Sequence, residues 1–344
     1  VRDLSWEELA AYRSRVRGCL LGGAIGDALG YPIEGMSLGS IRAEFGETGL
    51  TEPARDRTGA VGRISDDTQM TLFTAEGWLR GYARAKAKGI SGAEVALVQE
   101  AYLRWLDTQD HDGPPPEHGV PHRWGWLRKE TWLYERRAPG LACLSGLREG
   151  YAPDPRSPID GTPGPVNPAS KGCGTVMRSA PFGFTEGHPQ PSFELAARCA
   201  QITHGHPTGY LAAGAFAAMI SHLVTGESLT DAVGRSMELL ARYPGHEETS
   251  AALRRAVDLA ADGPATPEKV ESLGGGWIAE EALAIAVYAA LASTEYWKFR
   301  TPIESALLLA VNHSGDSDST GSICGNLLGA RHGDVLLPPQ WLGR

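Results

Sequence analysis

The stretch GCLLGGAIGDALG, Gly18 to Gly30, places glycine at positions 18, 22, 26 and 30. Four-residue spacing puts these positions on one face of an α-helix, and a face without side chains lets another backbone come close. Gly321, Gly325 and Gly329 repeat the spacing near the other end of the chain. Both segments are therefore expected to be helices that pass through the crowded centre, and packing is the first explanation for such glycines. Just upstream, SWEE pairs Ser5 with Glu8 as a capping box, and Leu9, Tyr12, Val16 and Leu20 follow at helical spacing.

Helical patterning continues through the chain. Leu229, Val233, Met237 and Leu240 form an apolar stripe, and residues 193–203, 208–224, 249–261, 280–294 and 302–311 are rich in Ala and Leu. Alternating strand patterns are almost absent. The expected fold is all-α: a compact, single-domain orthogonal helical bundle over residues 1–344, with long Pro/Gly-rich loops. The loop-rich part is 110–170, which holds eleven of the 23 prolines, with Trp124, Trp126 and Trp132 between them. Proline removes backbone donors and breaks helices, and long loops inside a domain are usually functional. No period of 20–50 residues marks a solenoid.

Composition narrows the function. The longest strongly apolar run, Ala282 to Ala292, is too short to span a bilayer, so no membrane partner is expected. The N-terminus lacks the basic start and apolar stretch of a secretory signal. Five scattered cysteines without a C-x-x-C pair argue against disulfides and zinc ribbons, which makes a reducing cytoplasm the expected location. A net charge of -9 gives no general attraction to polyanions, so bulk nucleic-acid binding is not expected.

Two acidic clusters carry the chemistry. In ISDDTQM, Ser65, Asp66, Asp67 and Thr68 open a helical pattern, and one residue would suffice as a cap. Adjacent carboxylates repel unless a cation or proton lies between them. In SGDSDSTG, Asp316 and Asp318 would point about 200° apart inside a helix, so their convergence needs a turn or a helix start. An EF-hand reading fails because Leu327 stands where the bidentate Glu belongs. Hard oxygen donors without paired Cys or His suit Mg²⁺, Mn²⁺ or Ca²⁺. Three further stretches look like site loops: RAPG at 137–140, NPASKGCGTVMRSAPFG at 167–183 and THGHPTGY at 203–210. Ser170, Gly172, Cys173 and Gly174 suggest a backbone cradle, with Lys171 and Arg178 as cations for a phosphate. His204 and His206 lack a third ligand for zinc, and a wall or hydrogen-bonding role suits His204 better.

Taken in order, GCLLGGAIGDALGYPIEG, ISDDTQM, RAPG, SKGCGTVMRSAP, THGHPTGY and SGDSDSTGSICGNLLGA resemble the ADP-ribosylglycohydrolase family over residues 18–330. The resemblance implies an all-α fold with a centre of two Mg²⁺ ions, Mn²⁺ being a substitute. It implies metal ligation by Ser65, Asp66, Asp67, Asp316, Asp318 and Ser319, with Asp66 or Asp316 taking a proton. It further implies that Ser170 to Gly174 hold the diphosphate and ribose, that Gly140 and His204 meet the ligand, and that Glu34 matches a gating carboxylate of serine-specific members. The activity implied is hydrolysis of ADP-ribose from a modified protein or other conjugate, with ADP-ribose as product. Ser65 and Ser319, serines rather than threonines, resemble the arginine-specific branch. Glu34 points to O-linked acceptors, and nucleic-acid conjugates stay open. A non-catalytic binding or crystallin-like role is the alternative of another class, which loss of the oxygen ligands would mark.

Overall fold

The computed structural model describes residues 5–185, 188–292, 296–297 and 300–343. Among them the fold is helical, with α1 (Trp6–Gly30), α2 (Leu38–Phe45), α3 (Asp66–Lys88), α4 (Glu94–Asp110) and α5 (Leu141–Glu149). There follow α6 (Pro189–Ala200), α7 (Pro207–Val224), α8 (Leu229–Leu240), α9 (Glu247–Ala261) and α10 (Pro267–Glu271). The last four are α11 (Ala279–Leu291), α12 (Pro302–Val311), α13 (Ser317–His332) and α14 (Pro339–Leu342). The described residues form no strand, only isolated bridges at Arg55–Val61 and Gly172–Ile278. The all-α expectation holds, and five of the expected stretches are α6, α7, α9, α11 and α12. Positions 293 and 294 of the fourth stretch lie outside the described residues.

The glycine stripes meet. A Cβ on Gly18, Gly22 or Gly26 would collide with the carbonyl of Gly329, Gly325 or Gly321 respectively, so α1 and α13 run antiparallel with their backbones in contact. Gly30 faces Ser317 in the same register, which brings the end of α1 to the start of α13. Asn326 Nδ2 donates to the Cys19 carbonyl at 2.8 Å and locks the register. The Ser5–Glu8 capping box opens α1 as expected.

Buried side chains form two clusters. One surrounds α7, α11, α12 and α13; the other packs Phe73, Tyr102 and Trp105 of α3 and α4 against α5 and α6. Helix α7 is the one helix among the described residues long and apolar enough to cross a membrane, and it is wrapped by the others. Val176 belongs to the first cluster and Met177 to the second, so the loop before them runs along the seam.

Region 110–170 departs from a pure loop. It contains α5 and 3₁₀ turns at Pro121–Arg123, Leu127–Lys129 and Thr131–Leu133. No proline falls between Pro139 and Pro153, and Cys143, Leu144 and Leu147 supply a buried helical face. A buried ion pair anchors the tryptophan segment. Arg104 reaches Glu76 Oε2 through Nε and Nη2 at 2.8 and 2.6 Å, while Glu76 Oε1 accepts the Trp126 and Leu127 N–H groups. Arg104 Nη1 donates to the His122 carbonyl at 2.7 Å, so the pair's remaining capacity is spent on the loop.

Substituting Gly26→Ala is expected to lower stability in denaturant unfolding by about 3 kcal/mol or more, because neither backbone can retreat. Gly234→Ala, in α8 where the added methyl meets open space, should raise it by about 0.5–1 kcal/mol. Equal effects at the two sites would contradict the close-packed stripe.

Candidate active site

Both acidic motifs begin helices. Ser65 caps α3, its Oγ accepting the Asp67 N–H at 3.2 Å, and Asp316 caps α13, its Oδ1 accepting the Ser319 N–H at 3.3 Å. Asp318 Oδ1 accepts the same Ser319 N–H at 3.1 Å. Three links hold the start of α13. The Asp316 N–H donates to the Gly275 carbonyl at 2.8 Å, the Gly35 N–H to the Gly315 carbonyl at 2.8 Å, and Asn312 brackets the Leu50 backbone. Gly315 has φ +133°, a conformation and a contact with Gly275 that leave no room for a side chain.

The two motifs open onto one cavity of about 200 Å³. Asp66, Asp67, Asp316, Asp318, Ser319 and Glu34 line it, opposite Ser170, Gly172, Cys173, Gly174, His204 and Gly140. Ser65 lies buried at its edge, with Oγ 3.2 Å from Asp67 Oδ2. The Gly140 N–H points at Asp66 Oδ2 from 3.4 Å. A larger groove between α1, α3 and α6 is lined mainly by apolar side chains and holds no comparable cluster.

Burial, then the charge of Asp318, pushes Asp66 and Asp67 well above the ordinary carboxylate range, and the same two causes act on Asp316. Glu34 is raised to about 8 by burial and Asp318, against the pull of Arg57. Such a cluster needs protons or cations to exist. Among the described residues, Asp67 Oδ1 is buried with no hydrogen-bond partner, and no Lys or Arg side chain lines the cavity. The donors are hard oxygens, so the residues fit divalent cations. Among the described residues no three His, Cys, Asp or Glu side chains already close around one point, so the donors border the cavity rather than grip its centre.

The loop opposite is built from backbone. The Cys173 N–H donates to the Trp277 carbonyl at 3.1 Å and the Ala279 N–H to the Lys171 carbonyl at 2.8 Å. The Gly172 and Gly174 N–H groups have no partner among the described residues. A Cβ on Gly172 would sit 3.1 Å from His204 Nε2, and one on Gly174 would sit 2.8 Å from Cys143 Sγ.

Two expectations are corrected. Lys171 turns away from the cavity, its Nζ held by Glu248 Oε2 at 2.6 Å and Glu280 Oε1 at 2.5 Å. Arg178 is fully buried beneath the cavity, over the Tyr102 ring, and donates to Thr203 Oγ1 at 2.6 Å. Thr203 Oγ1 also lies 2.7 Å from His204 Nδ1 and reaches the Ala200 carbonyl at 3.4 Å, so one hydroxyl joins the imidazole to Arg178. Burial, with Arg178 nearby, holds His204 neutral by lowering its pKa to about 3.

Sequence reading missed Asp27 and Trp277. Asp27, buried in α1, accepts the Ser65 N–H at 2.8 Å and the Thr68 N–H at 3.1 Å, capping α3 from another helix. Burial, then Asp318, raises it to about 7. Its signal was a lone acid beside Gly26 on the packed face. Trp277, half exposed, forms part of the cavity mouth and follows the GGG run at 274–276.

The profile of the ADP-ribosylglycohydrolase family matches residues 8–344. The chain belongs to the ADP-ribosylglycohydrolase family. It is 28% identical over 338 residues to the ADP-ribosyl-[dinitrogen reductase] glycohydrolase of Rhodospirillum rubrum, covering 96% of this chain and 90% of that one. It is 25% identical over 353 residues to ADP-ribosylhydrolase ARH3 of Bos taurus, covering 95% and 87%. A solved ADP-ribosylglycohydrolase-related protein complex shares the fold, with a TM-score of 0.61 over 96% of this chain and 92% of the other, at 22% identity.

Without a cation, Asp27 and Glu34 keep protons in the folded protein that they lose near pH 4 when unfolded. The fold then binds more protons than the unfolded chain, so this contribution to stability is complete below about pH 4 and is lost as pH rises through 7 to 8. In chelator, Tm is expected to fall between pH 5 and 8, and Mg²⁺ should raise Tm more at pH 8 than at pH 5. A Mg²⁺ effect that is absent or larger at pH 5 would contradict the cation reading. Asp27→Asn should weaken Mg²⁺ binding by about 10–100-fold in calorimetry while the fold persists, because the amide cannot accept both α3 N–H groups.

Proposed function

We propose that this family member hydrolyses the glycosidic bond between ADP-ribose and an acceptor, using two Mg²⁺ ions, as is common in the family, held by Ser65, Asp66, Asp67, Asp316, Asp318 and Ser319. The observation that carries this reading is the meeting of both acidic helix starts in one cavity, with Asp67 Oδ1 unpaired, opposite a loop with unspent N–H groups. Bound there, the ions would supply Lewis acidity toward ribose hydroxyls and a water molecule.

The chain's own residues supply the rest. The Gly172 and Gly174 N–H groups face the diphosphate, and neutral His204 donates without adding charge. Asp66 or Asp316 takes the proton of the attacking water, and the remaining carboxylates favour the oxocarbenium-like transition state at the anomeric carbon. Glu34 is the wall carboxylate outside the two metal motifs. With cations bound and its proton lost, it would suit a cationic guanidinium, which together with Ser65 and Ser319 favours ADP-ribosyl-arginine as substrate. The second reading, an O-linked conjugate, rests on Glu34 acting as a gate. Five free cysteines support a cytoplasmic setting.

The test measures ADP-ribose release from modified arginine, serine and nucleic acid. Asp66→Asn and Asp316→Asn should each lower kcat by about two orders of magnitude or more. Glu34→Gln should reduce kcat/KM for the arginine conjugate more than for the serine conjugate. Full turnover in chelator would overturn the proposal, and inactivity on every conjugate with retained ADP-ribose binding would favour the binding-module alternative.

A further inference from the structure

Three sulfur atoms border a cavity whose other donors are oxygens: those of Cys143, Cys173 and Met177. Two are engaged elsewhere. Cys143 Sγ lies 3.5 Å from the Arg178 Nη1 donor, and Met177 Sδ receives the Ser319 hydroxyl at 3.8 Å. Cys173 differs. Its Sγ is 2.8 Å from Asp316 Oδ2, on the side of that carboxylate away from the oxygen that caps α13.

The position is fixed rather than incidental. The backbone bridge between Gly172 and Ile278 fixes the Cys173 main chain through its N–H bond to the Trp277 carbonyl, and the contact with Asp316 Oδ2 holds the sulfur. A second observation in the same cavity independently calls for a cation: Asp67 is 2% exposed and its Oδ1 has no partner among the described residues. When an entering ion displaces the thiol proton to solvent, the thiolate adds a soft donor to a hard-oxygen wall. Soft donors select thiophilic metals, whereas Mg²⁺ gains nothing from sulfur.

We propose that Cys173 is a specificity-determining residue of the ion site, which biases it toward thiophilic divalent cations over Mg²⁺ through its sulfur beside Asp316. This inference rests on the metal-site reading above. It does not concern which conjugate is hydrolysed.

The test uses the full chain, stripped with chelator, and compares Cd²⁺ with Mg²⁺ by equilibrium dialysis and near-ultraviolet absorption. Wild-type protein is expected to show a sulfur-to-cadmium charge-transfer band that saturates with Cd²⁺ binding. Cys173→Ser should lose the band and bind Cd²⁺ at least about tenfold more weakly, with Mg²⁺ affinity changed by less than about threefold. Cys143→Ser should keep the band, and Cys173→Ala serves where the serine variant melts early. A missing band in wild type, a band that follows Cys143, or unchanged Cd²⁺ affinity in both Cys173 variants would overturn the inference. If Mg²⁺ binds wild type and is lost in Asp66→Asn, the metal-site reading survives that failure. If no divalent ion binds wild type, both fall together.

Discussion

Like charges buried side by side set the terms for the rest of this protein. Asp66, Asp67, Asp316 and Asp318 share one small cavity where water screens them poorly, and each would reject its neighbour's ionised form. The scaffold answers with partial positive charge. Two helices point their N-termini at the cavity, and Ser65, Asp316 and Asp318 take up the first N–H groups of those helices. Capping leaves these side chains with oxygens to spare: one oxygen can hold the helix start while another stays free. Asp67 shows the division most clearly, with Oδ2 shared with Ser65 and Oδ1 unpaired.

That arrangement requires two segments from opposite ends of the chain to come into backbone contact. The α1–α13 stripe makes this possible, because only absent side chains let the end of α1 reach the start of α13. The contact also delivers Asp27 to the α3 start, so one face of α1 both packs against α13 and caps α3. Glycine in a helix costs about 1 kcal/mol relative to alanine. Here that cost is spread over several residues and offset by close packing and by the Asn326 hydrogen bond.

Much of this was legible from sequence because capping and periodicity are local. Ser65 and Asp316 were readable as helix starts, the glycine spacing as a helix face, and the DSD spacing as a demand for a turn. What escaped depended on distant partners. Lys171 looks like a free cation until Glu248 and Glu280 fold onto it from α9 and α11. Asp27 looks like a solvated acid until α3 arrives. Helix α5 was hidden because flanking prolines dominate the composition of its region, although its own nine residues contain none.

Arg178 extends this logic to the substrate side. A buried guanidinium is costly, and this one has no carboxylate within bonding distance among the described residues; its contacts there are an aromatic face, two sulfurs and the Thr203 hydroxyl. Its charge therefore acts through the low-dielectric interior rather than through a pair. One effect is on His204, which it helps to keep neutral and to which the Thr203 hydroxyl joins it. The wall opposite the acidic helix starts thus offers neutral donors only. On the proposed function, positive charge for an anionic ligand would come from cations held by the acidic helix starts, which would couple ligand affinity to ion binding within one cavity.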